Sequence, residues 1–176
     1  MNSYLNSAIQ EFKKYKLLGE KTLHQLNEEE IFWQANPESN SIAIIVKHLH
    51  GNMLSRWTDP LTTDGEKEWR ERDEEFQNKH STKDEVMSLW EQGWACLFDS
   101  LESFKNIDLE TIIYIRNEAH TLYQAINRQL THYPSHVGQM MYIGKMIKGS
   151  EWQSLSIPLN GSKQFKAALF SKPKNN

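Results

Sequence analysis

The chain has 176 residues, 38% of them hydrophobic and 11% aromatic, enough to close one domain around a sizeable core. Its 20 Lys and Arg are interspersed with 23 Asp and Glu for a net charge of −3, which leaves no basic face for a nucleic-acid backbone. One cysteine, Cys96, excludes an internal disulfide, and no apolar run is long enough to span a bilayer. With no charged n-region followed by an apolar h-region at the start, the expectation is a cytoplasmic protein with neither nucleic acid nor membrane as partner. Cys96 falls in the apolar stretch Trp94 to Leu97 and reads as a buried, inert thiol.

From Tyr4 to Leu26 the apolar residues Leu5, Ala8, Ile9, Phe12, Leu18, Leu23 and Leu26 form the stripe of an amphipathic helix, with Ser3 available as N-cap. Asn27 with Glu30 reads as a capping box opening a short helical turn through Trp33, before a bend at Asn36-Pro37. Ser39 and Ser41 precede a second long helix carrying Ile42, Ile44, Ile45, Val46, Leu49, Met53 and Trp57, stopped near Asp59-Pro60. Thr58 to Ser81 is charged and turn-prone. Trp69, Arg70 and Arg72 could line a site mouth there, but a solvated charged loop is the favoured reading.

Thr82 with Glu85 reads as another capping box, and Val86, Trp90, Gly93, Leu97, Leu101 and Phe104 predict a third long helix ending near Asn106. Thr111 to Ile115 is β-branched and aromatic, and Asn117-Glu118 reads as a turn, so a short strand or hairpin is expected before the last helix. That helix runs from about Thr121 to Lys148, with Gly149 placed as its C′ residue. Pro134 either kinks it or restarts it; the apolar stripe keeps its phase on both sides, which favours a kink. The tail, residues 150–176, carries Trp152, Leu155, Ile157-Pro158 and a short helix from Ser162 to Phe170, expected to dock over the rest. Four long amphipathic segments in one domain spanning 1–176 predict an all-α fold, a four-helix bundle with a hairpin insertion.

The last long helix also carries the residues with chemistry. His132 and His136 are one turn apart, so both imidazoles can reach one point in space. They share a face with Leu122, Ala125, Ile126, Gln129, Met140, Ile143 and Ile147, which turns both rings toward the core, where a polar ring needs a partner. A transition metal is one such partner, and a site of that kind needs a third ligand.

On the second long helix His48 and His50 lie about 200° apart around the axis, so only one can face inward. Periodicity favours His50. The polar stripe of His48, Asn52 and Ser55 favours His48 and suits a cleft open to solvent. His24 and His80 read as surface residues; His120 could hydrogen-bond a carbonyl or approach the cleft.

Ser39-Asn40-Ser41-Ile42-Ala43 through Val46-Lys47-His48-Leu49, then Gly51 to Asp59, together with His132-xxx-His136-Val137-Gly138-Gln139, resemble the DinB/YfiT-like superfamily, and more narrowly a bacterial branch of it with no assigned function. The resemblance extends to Asp64-Gly65-Glu66-Lys67 and to Ser156-Ile157-Pro158. It implies an up-down-down-up four-helix bundle, often dimeric, in which His48, His132 and His136 hold a divalent metal, zinc or nickel, with His50 as the fallback ligand. Pro134 stands where such a pattern would carry a helix former.

The superfamily includes S-transferases and isomerases that use low-molecular-weight thiols. The resemblance therefore implies a metal-held thiolate attacking an electrophile in the cleft, with Asn52 and Arg56 orienting a small-molecule cosubstrate. A hydrolase using metal-bound hydroxide is the second enzymatic expectation, although no carboxylate stands out as its general base. A non-catalytic metal-binding or stress-associated bundle is the third. Helix faces rich in Trp suit a homodimer.

Overall fold

The structure, a computed structural model, describes residues 3–77 and 82–171. Among these the chain is mostly helical, with six α-helices and one two-stranded antiparallel sheet: α1 (Ser3–Gln25), α2 (Glu28–Phe32), α3 (Ile42–Trp57), α4 (Lys83–Ser103), β1 (Ile112–Ile115), β2 (Glu118–Thr121), α5 (Leu122–Lys148) and α6 (Ser162–Phe170). Short 3-10 turns cover Arg72–Phe76, Phe104–Asn106 and Gly149–Glu151. No helix among the described residues is long and apolar enough to cross a membrane.

The helix boundaries follow from capping chemistry. Asn27 and Glu30 form the reciprocal capping box of α2, Ser41 Oγ accepts from the Ile44 amide at the start of α3, and Thr82 Oγ1 accepts from the Glu85 amide at the start of α4. Thr121 and Gln124 make a second complete box for α5, which the sequence reading did not identify. Ser3 lies inside α1 and is not its cap. At the other end of α5, Gly149 takes φ 53° and donates its N–H to the Lys145 carbonyl, a backbone state that a side chain disfavours.

The four long helices pack around one core. α3 lies against α4 and α5, and α1 lies against α5 and α4. Phe12, Trp94 and Tyr133, all with no exposed surface, meet at its centre with ring centroids 5.9–6.4 Å apart. Tyr133 also ties α5 to α3: its hydroxyl accepts from Trp57 Nε1 at 3.0 Å and donates to Asn52 Oδ1 at 3.1 Å.

α5 passes through Pro134 as one continuous helix, so the restart is excluded. The energies explain why. A helix-interior proline costs about 3 kcal/mol, whereas each buried side chain contributes about 1.5–3 kcal/mol; Ile126, Tyr133, Val137 and Met140 on both sides of it are buried. Thr131 and Ser135 flank the proline and donate their hydroxyls to the Arg128 and His132 carbonyls, staying within the helix's own hydrogen-bonding.

The hairpin before α5 differs from expectation by one residue. Its turn is Arg116-Asn117, both left-handed at φ 56° and 62°, and Glu118 pairs with Ile115 in the ladder. The Asp64 carboxylate accepts the backbone N–H groups of both turn residues, and Gly65 N–H donates to the Tyr114 carbonyl. The charged segment is thereby pinned to the hairpin. It is not the solvated loop that its composition suggested: Arg70 and Glu75 are buried, and the 3-10 turn Arg72–Phe76 packs on α3. In the tail, Trp152 lies against Gly144, and Gln153 exchanges two hydrogen bonds with Gln25; every residue of α6 is exposed.

Candidate metal centre

Twelve of the sixteen residues of α3 are buried, because α4, α5 and the Arg72–Phe76 turn cover it from three sides. An apolar moment cannot select one face of such a helix. His50 turns toward α4, where its backbone sits against Gly93. His48 turns toward α5 and meets His132 and His136, so the polar stripe and not the periodicity identifies the residue that joins the pair.

The ligand atoms of His48, His132 and His136 all lie within 4.8 Å of one another, a set that can hold a metal ion. His132 is central: its Nε2 is 3.4 Å from His48 Nε2 and 3.1 Å from His136 Nε2. The two α5 imidazoles do not point into the core as the shared-face reading expected. Tyr133 and Val137 occupy the buried seam, and the histidines flank it on the wall of a cleft, partly buried.

The second nitrogen of each ring meets an oxygen. His48 Nδ1 is 2.9 Å from Glu75 Oε2, His132 Nδ1 is 3.2 Å from Gln129 Oε1, and His136 Nδ1 is 3.0 Å from Gln139 Oε1. An ionised carboxylate only accepts, so His48 carries its proton on Nδ1, and the amide oxygens select the same tautomer for the other two. Three bare Nε2 lone pairs then face one another with no hydrogen between them. That confrontation is unfavourable by itself and is relieved by a shared cation. Outer oxygens that fix the ring tautomers are the usual support of metal-binding histidines. The residues present therefore fit a divalent metal.

Electrostatics agree. Burial, followed by the imidazoles of His136 and His48, pushes His132 from an ordinary 6.5 down to about 3, and burial also lowers His136, opposed by its bond to Gln139. Both are neutral at neutral pH, the form that ligates. Burial would raise the Glu75 carboxyl, but its bonds to His48 and Arg70 outweigh that and hold it below the ordinary carboxylate value. Arg70 grips Glu75 through two bonds, Nε to Oε1 at 2.7 Å and Nη2 to Oε2 at 3.0 Å. Gly51 makes room for this carboxylate; a Cβ there would overlap it.

Those shifts set an acid response. Because the folded rings sit below 6.5, the unfolded chain takes up more protons as the pH falls through that value. The metal-free protein therefore keeps this share of its stability above about pH 6.5 and loses it progressively toward pH 3. Urea denaturation at several pH values measures the slope, which should be shallower in His132→Ala; equal slopes would contradict the assignment.

The cleft is a cavity of about 580 Å³ whose walls include all three histidines, Asn52 and Arg56. With Asn52 Oδ1 accepting from Tyr133, its amide NH2 is the group left for a ligand. Arg56 is largely committed inward: Nη1 donates to Ser55 Oγ and the Gly65 carbonyl, and Nη2 lies 3.3 Å from Glu66. Arg70 and Arg72 also line the cavity, whereas Trp69 is exposed and does not.

Of the remaining histidines, His24 is exposed, His120 lies in β2 with Nδ1 2.9 Å from the Glu118 carbonyl, and His80 falls outside the described residues. Cys96 is partly buried, and burial raises its thiol above the ordinary value. Sequence reasoning placed Gln129 on the face of the histidine pair and Gln139 in the motif after it but gave neither a role in the site, and it did not single out Glu75. The two roles were detectable from glutamines three residues from a histidine on the same helix face; Glu75 was hidden in a run of charges.

Compared with curated proteins and with solved structures, the chain matches none. Residues 1–161 match the model of the family described as "Protein of unknown function (DUF1572)", and the chain belongs to that family.

Proposed function

We propose that this protein is a four-helix-bundle metalloprotein of the DinB/YfiT-like type in which His48, His132 and His136 hold zinc or nickel, and that it acts as an enzyme on a small molecule in the adjoining cleft, with thiol S-transfer as the reaction. The observation that carries the reading is the convergence of three Nε2 lone pairs, each ring fixed from behind by Glu75, Gln129 or Gln139. The mutual packing of α1, α3, α4 and α5 supports the bundle.

When bound, the ion supplies Lewis acidity and holds a thiol in its deprotonated form at neutral pH. The chain's own residues do the rest. The Asn52 NH2 orients a polar group of the cosubstrate, and Arg56 adds positive charge beside it. Behind Asn52, burial raises the Tyr133 hydroxyl well above its ordinary value, so it stays protonated and serves to position Asn52. No Asp or Glu lines the cavity among the described residues, so no carboxylate stands ready as a general base, which favours S-transfer over hydrolysis.

The test is to incubate the purified protein with zinc or nickel, cysteine as a low-molecular-weight thiol, and monochlorobimane, following the fluorescence of the thioether formed as sulfur displaces chloride. Metal-dependent conjugation that disappears in His136→Ala is expected. Stoichiometric metal binding with conjugation at the uncatalysed rate would reject the S-transferase reading.

A further inference from the structure

We infer that the cleft recognises an anionic small molecule, one bearing a carboxylate or phosphate group, and that Arg72, Arg116 and Arg128 at its rim make the recognition. This rests on the reading of the cleft as a substrate site and names the chemical class of what enters it.

The chain is net acidic, yet five of its arginines line this one cavity, and no Asp or Glu does so among the described residues. They arrive from five separate segments: Arg56 from α3, Arg70 from the loop after it, Arg72 from the following 3-10 turn, Arg116 from the hairpin turn and Arg128 from α5. Two carboxylates serve them. Glu66 is shared between Arg56, Arg70 and Arg116, and Glu75 between Arg70 and His48. Arg72 and Arg128 pair with no carboxylate among the described residues; Arg72 rests over the Phe76 ring, 5.8 Å from its centroid.

Deeper in, two guanidinium donors are buried without a hydrogen-bond partner, Arg56 Nε and Arg70 Nη1, the latter 3.6 Å from Glu66 Oε1, on residues only 4% and 9% exposed. Gathering like charges from five segments opposes folding unless something of opposite sign completes the set. A guanidinium matches a planar carboxylate or a phosphate in a two-pronged geometry that chloride cannot offer. A cavity of about 580 Å³ fits a small molecule, not a polymer. Arg116 is held in place independently of any ligand, because the Asp64 carboxylate fixes its backbone N–H and Glu66 its Nε. That part of the rim is therefore formed in advance.

The experiment is calorimetric titration of the as-purified full-length protein at constant ionic strength with inorganic phosphate, with succinate and with neutral succinamide. Arg72 and Arg128 are exposed, so Arg72→Gln/Arg128→Gln should keep the fold, which circular dichroism checks. Saturable binding of phosphate or succinate, weakened by about tenfold or more in the double variant and absent for succinamide, is expected. The tighter of the two anions identifies the group as phosphate or carboxylate. Affinities within twofold between wild type and variant, succinamide binding as well as succinate, or no binding of either anion would overturn the inference. Metal content of the same samples keeps the readings apart: anion binding in protein that takes up no metal sinks the metal centre alone, and full metal loading without anion affinity sinks this inference alone.

Discussion

His132→Ala will lose stoichiometric zinc or nickel binding while keeping the helical fold. His132 is the ring that the other two approach, at 3.1 and 3.4 Å, so its removal leaves His48 and His136 without the nitrogen between them. Losing an outer partner of a metal-binding histidine typically lowers affinity about 10–100-fold, and losing a ligand outright goes further.

The fold should be nearly indifferent, because the side chain lies on the cleft wall while the core contacts of this turn belong to Tyr133. Truncation also removes two of the facing lone pairs' closest approaches, so the metal-free variant should be within about 1 kcal/mol of wild type. Metal at a hundredfold excess over its dissociation constant stabilises wild type by about 2.7 kcal/mol, and this increment should vanish in His132→Ala and in His136→Ala. His50→Ala, altering a residue that faces α4, should retain it. Elemental analysis and thermal melts with and without metal decide the matter; full binding by both α5 variants would reject the centre.

The long helices were legible because amphipathic period and capping residues agree: Ser41 before Ile42, Thr82 before Lys83 and the glycine after Lys148 mark real ends. The ligand pair was legible from its spacing. The third ligand was harder, since α3 is covered nearly all round and its apolar moment carries little direction; the polar stripe His48, Asn52, Ser55 held the information. The charged segment was misread for a different reason. Composition counts charges but does not reveal that Arg70 and Glu75 neutralise each other in the interior, nor that Asp64 ties the segment to a hairpin about fifty residues on. Pairing over the latter distance leaves no local pattern, and it ties the hairpin turn that carries Arg116 to the segment that carries Arg70 and Glu75.

Glu75→Gln should therefore be damaging twice over, through stability and through the metal. The substitution keeps the volume and removes the charge that Arg70 and the His48 N–H both use. Breaking a buried ion pair from one side costs about 3–5 kcal/mol; Glu66, 3.6 Å from Arg70, supplies some compensation and puts the expected loss toward the lower end. An amide in place of the carboxylate also accepts more weakly from Nδ1 and permits the ring to turn or change tautomer, so metal affinity should fall by about 10–100-fold.

The two effects separate in Arg70→Met/Glu75→Gln. Removing the stranded guanidinium should restore much of the stability in urea, because no unpaired buried charge remains, but His48 still lacks its carboxylate and the affinity for metal should stay low. Competition titration against a chromophoric chelator reads the affinity directly. Glu75 would be a purely structural counter-ion to Arg70, with no role in positioning His48, if the double variant recovered metal binding together with stability, or if Glu75→Gln bound metal within twofold of wild type.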